Sequence, residues 1–393
     1  MNYLINKINY FIIILFIQLF AFSTGMMAQI PLHSDNEVSL PEIINFNLGK
    51  LQNDPQDFNA SVSLVESYYR NEDFQKCILY ANISEDILLN LERSDKRHKN
   101  HEFFMFYIYQ TRGKSRHKLG MLGKAMDEYG KALSYNRTDG DLLIDIGNLY
   151  YNQSEYDSAM YYFRLAEKYD SLSFKSKFNI ANVYYVRKNY DSALYYYDAS
   201  LQINSDFAYV YFYKGTIHNE LGKHELAITD FNNAINLWPN NSQIFYQRSL
   251  AYMASGNYKY ALNDLDKVIS MDSSNFDALR KRAQSNLILK NYEPAESDLN
   301  RLIAINQNET EGYYIRGNYF LQRKEYERAI VDYNKAKEKG LDFPELYYYS
   351  GYTNMKLNNV NEACSDLSKA NEEGIELDRK TQRFFSKCLQ EIN

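Results

Sequence analysis

The chain of 393 residues is poor in the residues that break or staple a fold: 6 Pro, 16 Gly and 3 Cys. So few prolines and glycines exclude collagen-like sequence and Pro/Gly-rich disorder, and they leave an all-β fold short of tight-turn residues. Three scattered cysteines, Cys77, Cys364 and Cys388, frame neither a disulfide scaffold nor a zinc site. An excess of positive charge is also lacking. Lys+Arg 44 against Asp+Glu 50 leaves −6, which offers nothing to a phosphate backbone, so no nucleic-acid partner is expected. Tryptophan occurs once. What the chain does have is tyrosine: 38 Tyr beside 22 Phe, in a sequence that is 45% hydrophobic. Tyrosine thus outnumbers glycine, the reverse of ordinary usage. These rings need a helical core or a binding surface.

Near the N-terminus, Phe11–Phe22 is an apolar run interrupted only by Gln18. Lys7 precedes it, and Ser23, Thr24, Gly25 and Ala28 follow. This is the three-part plan of a secretory signal peptide, over a run short for a membrane span. Residues 1–28 are therefore expected to be a signal peptide, with an uncleaved single-span anchor as the competing reading. Ser23 and Gly25 fit the small-x-small cleavage rule better than Met26 and Ala28 do. No cysteine follows the run, so no bacterial lipid anchor is expected, and no second apolar segment of spanning length occurs. The expected location is outside the cytoplasm: periplasm, cell surface or secreted.

The rest of the chain is organised by a period. Alanines recur at Ala125, Ala159, Ala193, Ala227, Ala261, Ala295, Ala329 and Ala363, in steps of 34 residues. Twelve residues before each stands a small residue: Gly113, Gly147, Ala181, Gly215, Ser249, Ala283, Gly317 and Gly351. Four residues after each stands a large one: Tyr129, Phe163, Tyr197, Phe231, Leu265, Leu299, Tyr333 and Leu367. Each unit reads as two amphipathic helices with a short turn between them. Neither helix can bury its apolar stripe alone, so the units stack, and the small residues let the two backbones approach. Tyr156, Tyr190, Tyr258, Tyr292 and Tyr326 open the second helix of their units.

Spacing and residue classes together resemble the tetratricopeptide repeat. The resemblance implies an all-α fold: an α-solenoid of tandem helix–turn–helix units forming a right-handed superhelix, closed by a C-terminal capping helix. Its expected parts are a partly helical leader (29–57), a divergent unit with an insertion (58–105), eight tandem units (106–377) and the cap (378–393). In the divergent unit Val65, Tyr68, Phe74 and Cys77 take the repeat positions, and Leu91–Phe103 holds the excess length. The cap is expected to align Phe384, Phe385 and Leu389 on one side.

The resemblance also implies that first helices line a concave groove. The inward positions include Tyr107 and Lys114, then Asn148 and Tyr151, then Phe178, Asn182 and Tyr185, then Tyr209 and Phe212. The later units supply Tyr246, then Arg280, then Tyr314 and Asn318, then Tyr348 and Tyr352. Aromatics alternating with amides suit an extended peptide, since amides bond its backbone and tyrosines add apolar area at low entropic cost. The competing reading is that some of these rings only pack between units. A carboxylate clamp of the chaperone-binding kind is not expected. Asn148 and Asn182 match its asparagine, but Ile144 and Phe178 stand where its lysine belongs. An asparagine ladder begins with Asn148, Asn179 and Asn182 and fails at Tyr213 and Thr216.

Other motifs carry less. Gly113-Lys114-Ser115 lacks the earlier glycine and the strand that a phosphate loop needs, so no nucleotide is expected. His98, His101 and Glu102 match neither common zinc-hydrolase order, and no metal or other cofactor is expected. Cys364 in the eighth unit and Cys388 in the cap helix either pair in an oxidising compartment or stay as two buried thiols. The function expected is a non-catalytic scaffold or adaptor for a protein or peptide. The alternatives are a glycan-binding protein using the groove tyrosines and an enzyme whose site is not visible in sequence.

Overall fold

The computed structural model describes residues 39–94, 98–306 and 310–392, with side chains through 388. The expected signal peptide, the start of the leader and the side chain of Leu389 lie outside the described residues. Among those described, all regular structure is α-helical. No helix of theirs is long and apolar enough to cross a membrane. The chain divides into two compact units, one ending at Arg137 and one beginning at Thr138, inside the array that the period marks as continuous.

In the first unit, α1 (Leu40–Asn53), α2 (Phe58–Arg70), α3 (Phe74–Arg93), α4 (His101–Lys118) and α5 (Leu122–Tyr135) pack each on the next. A capping box opens α1, with Ser39 and Glu42 bonding reciprocally. The excess length of the divergent unit goes largely into α3, which has 20 residues where most other helices have 13 or 14. It also goes into α4, which starts at His101, ahead of the Phe106 where the repeat register opens. Phe104 holds that added turn against Phe58, with ring centroids 4.8 Å apart.

The second unit contains the pairs α6 (Gly140–Asn152) and α7 (Tyr156–Tyr169), α8 (Phe174–Val186) and α9 (Tyr190–Ile203), α10 (Ala208–Glu220) and α11 (His224–Leu237). The pairs α12 (Ser242–Ala254) and α13 (Tyr258–Met271), α14 (Phe276–Ile288) and α15 (Tyr292–Ile305) come next. Last come α16 (Thr310–Gln322) and α17 (Tyr326–Glu338), α18 (Pro344–Leu357) and α19 (Val360–Glu372), and then α20 (Arg379–Ile392). Asp139, Ser173 and Asn275 cap first helices by accepting from the backbone N–H three residues on. The turn inside each pair contains one residue at positive φ, always five before the repeat alanine: Ser154, Lys188, Gly222, Gly256, Lys290, Lys324 and Asn358. The cap helix starts three residues after the Glu376 where its apolar pattern begins. Gly374 at φ 92 turns the chain, and Asp378 accepts from the Lys380 N–H at 2.9 Å to start the new helix.

The repeat alanines are all fully buried, and where the small residue of the first helix is glycine (Gly113, Gly147, Gly215, Gly317 and Gly351) the large residue four after the alanine lies against it. In the second unit, first helices touch across the array: α6 with α8, α10 with α12, α14 with α16, and α16 with α18. No pair of second helices among the described residues comes equally close. First helices therefore form the tighter row, and the side chains they turn outward share one surface.

Candidate functional site

A continuous aromatic wall runs over α8 and α10, and Tyr151 of α6 lies near it. On α8, Phe174, Phe178, Asn182 and Tyr185 follow the three-to-four spacing that puts them on one side of a helix. Phe207, in the turn before α10, lies 5.1 Å from Phe174 and 4.9 Å from Phe178, centroid to centroid. Tyr209 meets Phe207 at 5.7 Å and Trp238 at 5.2 Å, each nearly edge-on. Tyr213 lies 5.9 Å from Phe178, 5.6 Å from Tyr185 and 6.0 Å from Tyr197. Much of this wall is half-buried, but its end is open: Tyr209 is 47% exposed and Trp238 38%.

Several tyrosine hydroxyls at the wall find acceptors. Tyr197 donates to the Asn182 side-chain oxygen at 2.6 Å. Tyr185 and Tyr190 both donate to Glu220. Burial pushes Tyr151 and Tyr185 up to about 12; neighbouring tyrosines add to the effect on Tyr151, and the Glu220 carboxylate, more than the neighbouring tyrosines, adds to that on Tyr185. Tyr197 is raised further, by burial first and then by Tyr213, Tyr151 and Tyr185. At neutral pH these groups are all protonated phenols.

The expected groove residues divide into groups. Phe178, Asn182, Tyr185, Tyr209 and Phe212 belong to this wall, Phe212 lying 5.4 Å from Tyr213, and Tyr151 lies near it. Tyr314, Tyr348 and Tyr352 form a second chain of rings, through Tyr349 at 6.4 Å from Tyr314 and 5.2 Å from Tyr348. Tyr246 is half-buried and faces Asp277 and Arg280. Arg280 is itself paired with Asp277 and Glu311. Asn148 is half-buried on α6. Tyr107 and Lys114 are half-buried in the first compact unit, where Tyr107 donates to Glu66. The amide oxygens of Asn182 and Asn318 serve the framework, accepting from Tyr197 and from Tyr333 at 2.6 and 2.7 Å. Phe207, Tyr213 and Trp238 complete the wall and are absent from the inward positions of the register. The one sequence signal for Trp238 is its rarity, immediately before Pro239.

The tetratricopeptide repeat family profile matches residues 144–207, 178–242 and 246–310. The chain carries tetratricopeptide repeats. Among solved structures, a tetratricopeptide repeat protein from Parabacteroides merdae ATCC 43184 is 20% identical, with TM-score 0.47, over 63% of this chain and 97% of that one. YrrB, described as a tetratricopeptide repeat protein with an unusual peptide-binding site, is 22% identical, with TM-score 0.43, over 48% and 97%. Pseudomonas aeruginosa pilF is 17% identical, with TM-score 0.47, over 54% and 97%. These likenesses assign no ligand to this chain. Among curated proteins none matches it.

The tetratricopeptide register also explains residues outside the wall. Gly113 is buried in α4, where a Cβ would collide with Tyr129, and no phosphate-binding turn exists there. His98 packs against Phe58 and Phe104 at 5.5 and 5.2 Å, and His101 is buried with Nε2 3.7 Å from Glu92. A charged ladder at the repeat period escaped the sequence reading. Arg248, Arg282 and Arg316 each hold the aspartate sixteen residues on, Asp264, Asp298 and Asp332, through two hydrogen bonds. Each also bonds a residue of the preceding repeat: Asn232, Asp266 or Asn300. Finally, Cys364 and Cys388 form a disulfide between α19 and α20.

Proposed function

We propose that this tetratricopeptide protein is a non-catalytic scaffold of the cell envelope that holds an extended segment of a protein partner on the α8–α10 wall. The observation that carries the proposal is the run of touching rings from Phe174 to Trp238, open to solvent at Tyr209 and Trp238. Exposed aromatic clusters of this kind act as anchors because they bury large area for few frozen torsions. Export is supported by the signal-like N-terminus and by the Cys364–Cys388 bond, since structural disulfides persist in oxidising compartments.

A photo-crosslinking residue in place of Tyr209 tests the reading in cells of the source organism, with Tyr195 as control. Tyr195 is 68% exposed but sits on a second helix, α9. Crosslinks to a defined protein segment from position 209 and not from 195 are expected. Equal capture at both positions would sink the proposal. The glycan alternative takes its place if a glycan array gives binding that Tyr151→Ala with Tyr185→Ala abolishes while no peptide binds. Fractionation with N-terminal sequencing checks the location, and an intact Met1 in the cytoplasmic fraction would refute export.

A further inference from the structure

Every lysine and histidine of α8 and α10 meets an acid: Lys175 with Asp141, Lys177 with Glu167, Lys214 with Asp198 and His218 with Asp230. Glu220 is the one acid these two helices carry, and among the described residues it makes no ion pair. Lys188 and Lys223, in the turns that follow α8 and α10, are exposed and do not pair with it. Glu220 is itself exposed, yet its carboxylate is tied in place. It accepts from the Tyr185 hydroxyl at 3.3 Å and from the Tyr190 hydroxyl.

We infer that the segment held on this wall carries a lysine or arginine whose cationic head docks on Glu220; this rests on the partner-binding reading above and names the chemistry of one contact. A free phenol can donate or accept, but each has a single proton, and Tyr185 and Tyr190 both commit theirs to Glu220. Burial and then Glu220 itself push the Tyr185 phenol up to about 12, and the bond to Glu220 raises Tyr190 as well, so both protons stay in place at neutral pH. Carboxylate and phenol oxygens can therefore only accept here, around one negative charge. The side chains that bring several donors and a positive charge to such a spot are the ammonium of lysine and the guanidinium of arginine.

The surroundings suit the rest of such a side chain. The rings of Tyr185 and Tyr190 border the carboxylate with centroids 6.2 Å apart, and Tyr213 lies 5.6 Å from Tyr185. At the register position of Glu220 the flanking first helices, α8 and α12, carry Val186 and Ala254, neither of them charged. A lysine or arginine lays its methylenes on apolar and aromatic surface while its head stays with the carboxylate and the rings. Because two phenols already hold the carboxylate, seating the cation freezes little that was free before, unlike pairing with an untethered surface glutamate.

Trp238 is the only tryptophan and reports binding on the wall. The purified protein, disulfide intact, is used to select from a random twelve-residue, tryptophan-free peptide library, and the selected peptides are titrated by Trp238 fluorescence. The expected binders are enriched in lysine or arginine and depend on Tyr209, lost on Tyr209→Ala. Glu220→Gln, which keeps an oxygen for both hydroxyls, should weaken them at least fivefold, as should glutamine in place of the peptide's basic residue. The two changes together should be no worse than either alone, the mark of a direct pair. Added salt should weaken binding to the parent protein and spare Glu220→Gln. Circular dichroism checks that both variants stay folded. Tyr209-dependent binders without basic residues, or binders indifferent to Glu220→Gln, overturn the cation inference and leave the partner-binding reading standing. A library that yields no Tyr209-dependent binder at all overturns both.

Discussion

A methyl group added to Gly317 would stand 2.6 Å from the ring of Tyr333, whose hydroxyl in turn bonds Asn318 at 2.7 Å. The ring is therefore fixed at both ends and has no room to yield. Gly317→Ala should destabilise the protein by about 1–3 kcal/mol, the usual range for overpacking a filled core. Gly130 is the contrast: it is helical and exposed, with nothing near its missing Cβ, so Gly130→Ala should stabilise by about 0.5–1 kcal/mol. Urea melts of both variants measure the difference. Equal, small effects would mean that the large residue four after the repeat alanine does not set the demand for glycine.

Lys290 sits at φ 61 in the turn between α14 and α15, at the register position that Gly222 and Gly256 hold in earlier repeats. Left-handed backbone costs a residue with a Cβ about 1 kcal/mol or more, and glycine little. Lys290→Gly should therefore raise the urea midpoint by an amount worth about 1 kcal/mol. Lys290→Val should lower it, because a branched Cβ tolerates this conformation worst. A neutral or destabilising glycine would show that the lysine stem contributes more than the strain.

The residue thirteen before each repeat alanine and the residue three after it change together. Arg248 faces Asp264, Arg282 faces Asp298 and Arg316 faces Asp332, whereas Ile146 accompanies Tyr162 and Ile180 accompanies Tyr196. In the apolar repeats the second tyrosine stacks on the first helix: Tyr150 on Tyr162 at 5.5 Å, and Tyr184 on Tyr196 at 5.7 Å. Both solutions fill the same cleft between the paired helices. Burial pushes the Asp264 carboxyl up despite its arginine partner, so removing that partner leaves an expensive buried charge. Arg248→Ile alone should cost about 3 kcal/mol. Arg248→Ile with Asp264→Tyr should recover most of it, because Tyr252 holds the register position of Tyr150 and Tyr184 and can offer the new ring the face not covered by Tyr260. Thermal melts of the two singles and the double form the cycle. A double no better than the sum of the singles would refute interchangeability.

The repeat was legible because spacing survives in sequence. Ala125 to Ala363, and the small and large residues around them, state the helix pairs and their contacts without any knowledge of side-chain direction. The wall was legible only in part. Phe178, Tyr185 and Tyr209 hold helical register positions, but Phe207 and Trp238 sit in turns, where a helical period says nothing about orientation. Asn182 shows the opposite limit. Its type and place fit a ligand-binding amide, yet Tyr197, read as framework, consumes its oxygen. The arginine ladder was open to sequence reading, since Arg248, Arg282 and Arg316 recur at the alanine period. It needed attention to residue pairs sixteen apart across two helices rather than to one helix at a time.

The disulfide fastens the last helix where burial alone holds it weakly. Phe385, Cys388, Cys364 and Leu367 form the small buried cluster under α20, with Phe384 and Leu377 only partly covered. Cys364 and Cys388 are 24 residues apart, and closing a loop of that size restrains the unfolded chain by about 3 kcal/mol. Cys77 is buried and reduced, with Ser115 3.1 Å from its sulfur. Alkylation of the denatured protein without reductant should thus add one label, at Cys77, and three labels after reduction. Cys388→Ser should lower the midpoint of unfolding and speed proteolysis after Glu372 while leaving the proposed partner binding at the wall unchanged, because α20 lies several repeats from α10 in the chain. Three labels without reductant, from protein kept under oxidising conditions, would show that the two thiols do not pair.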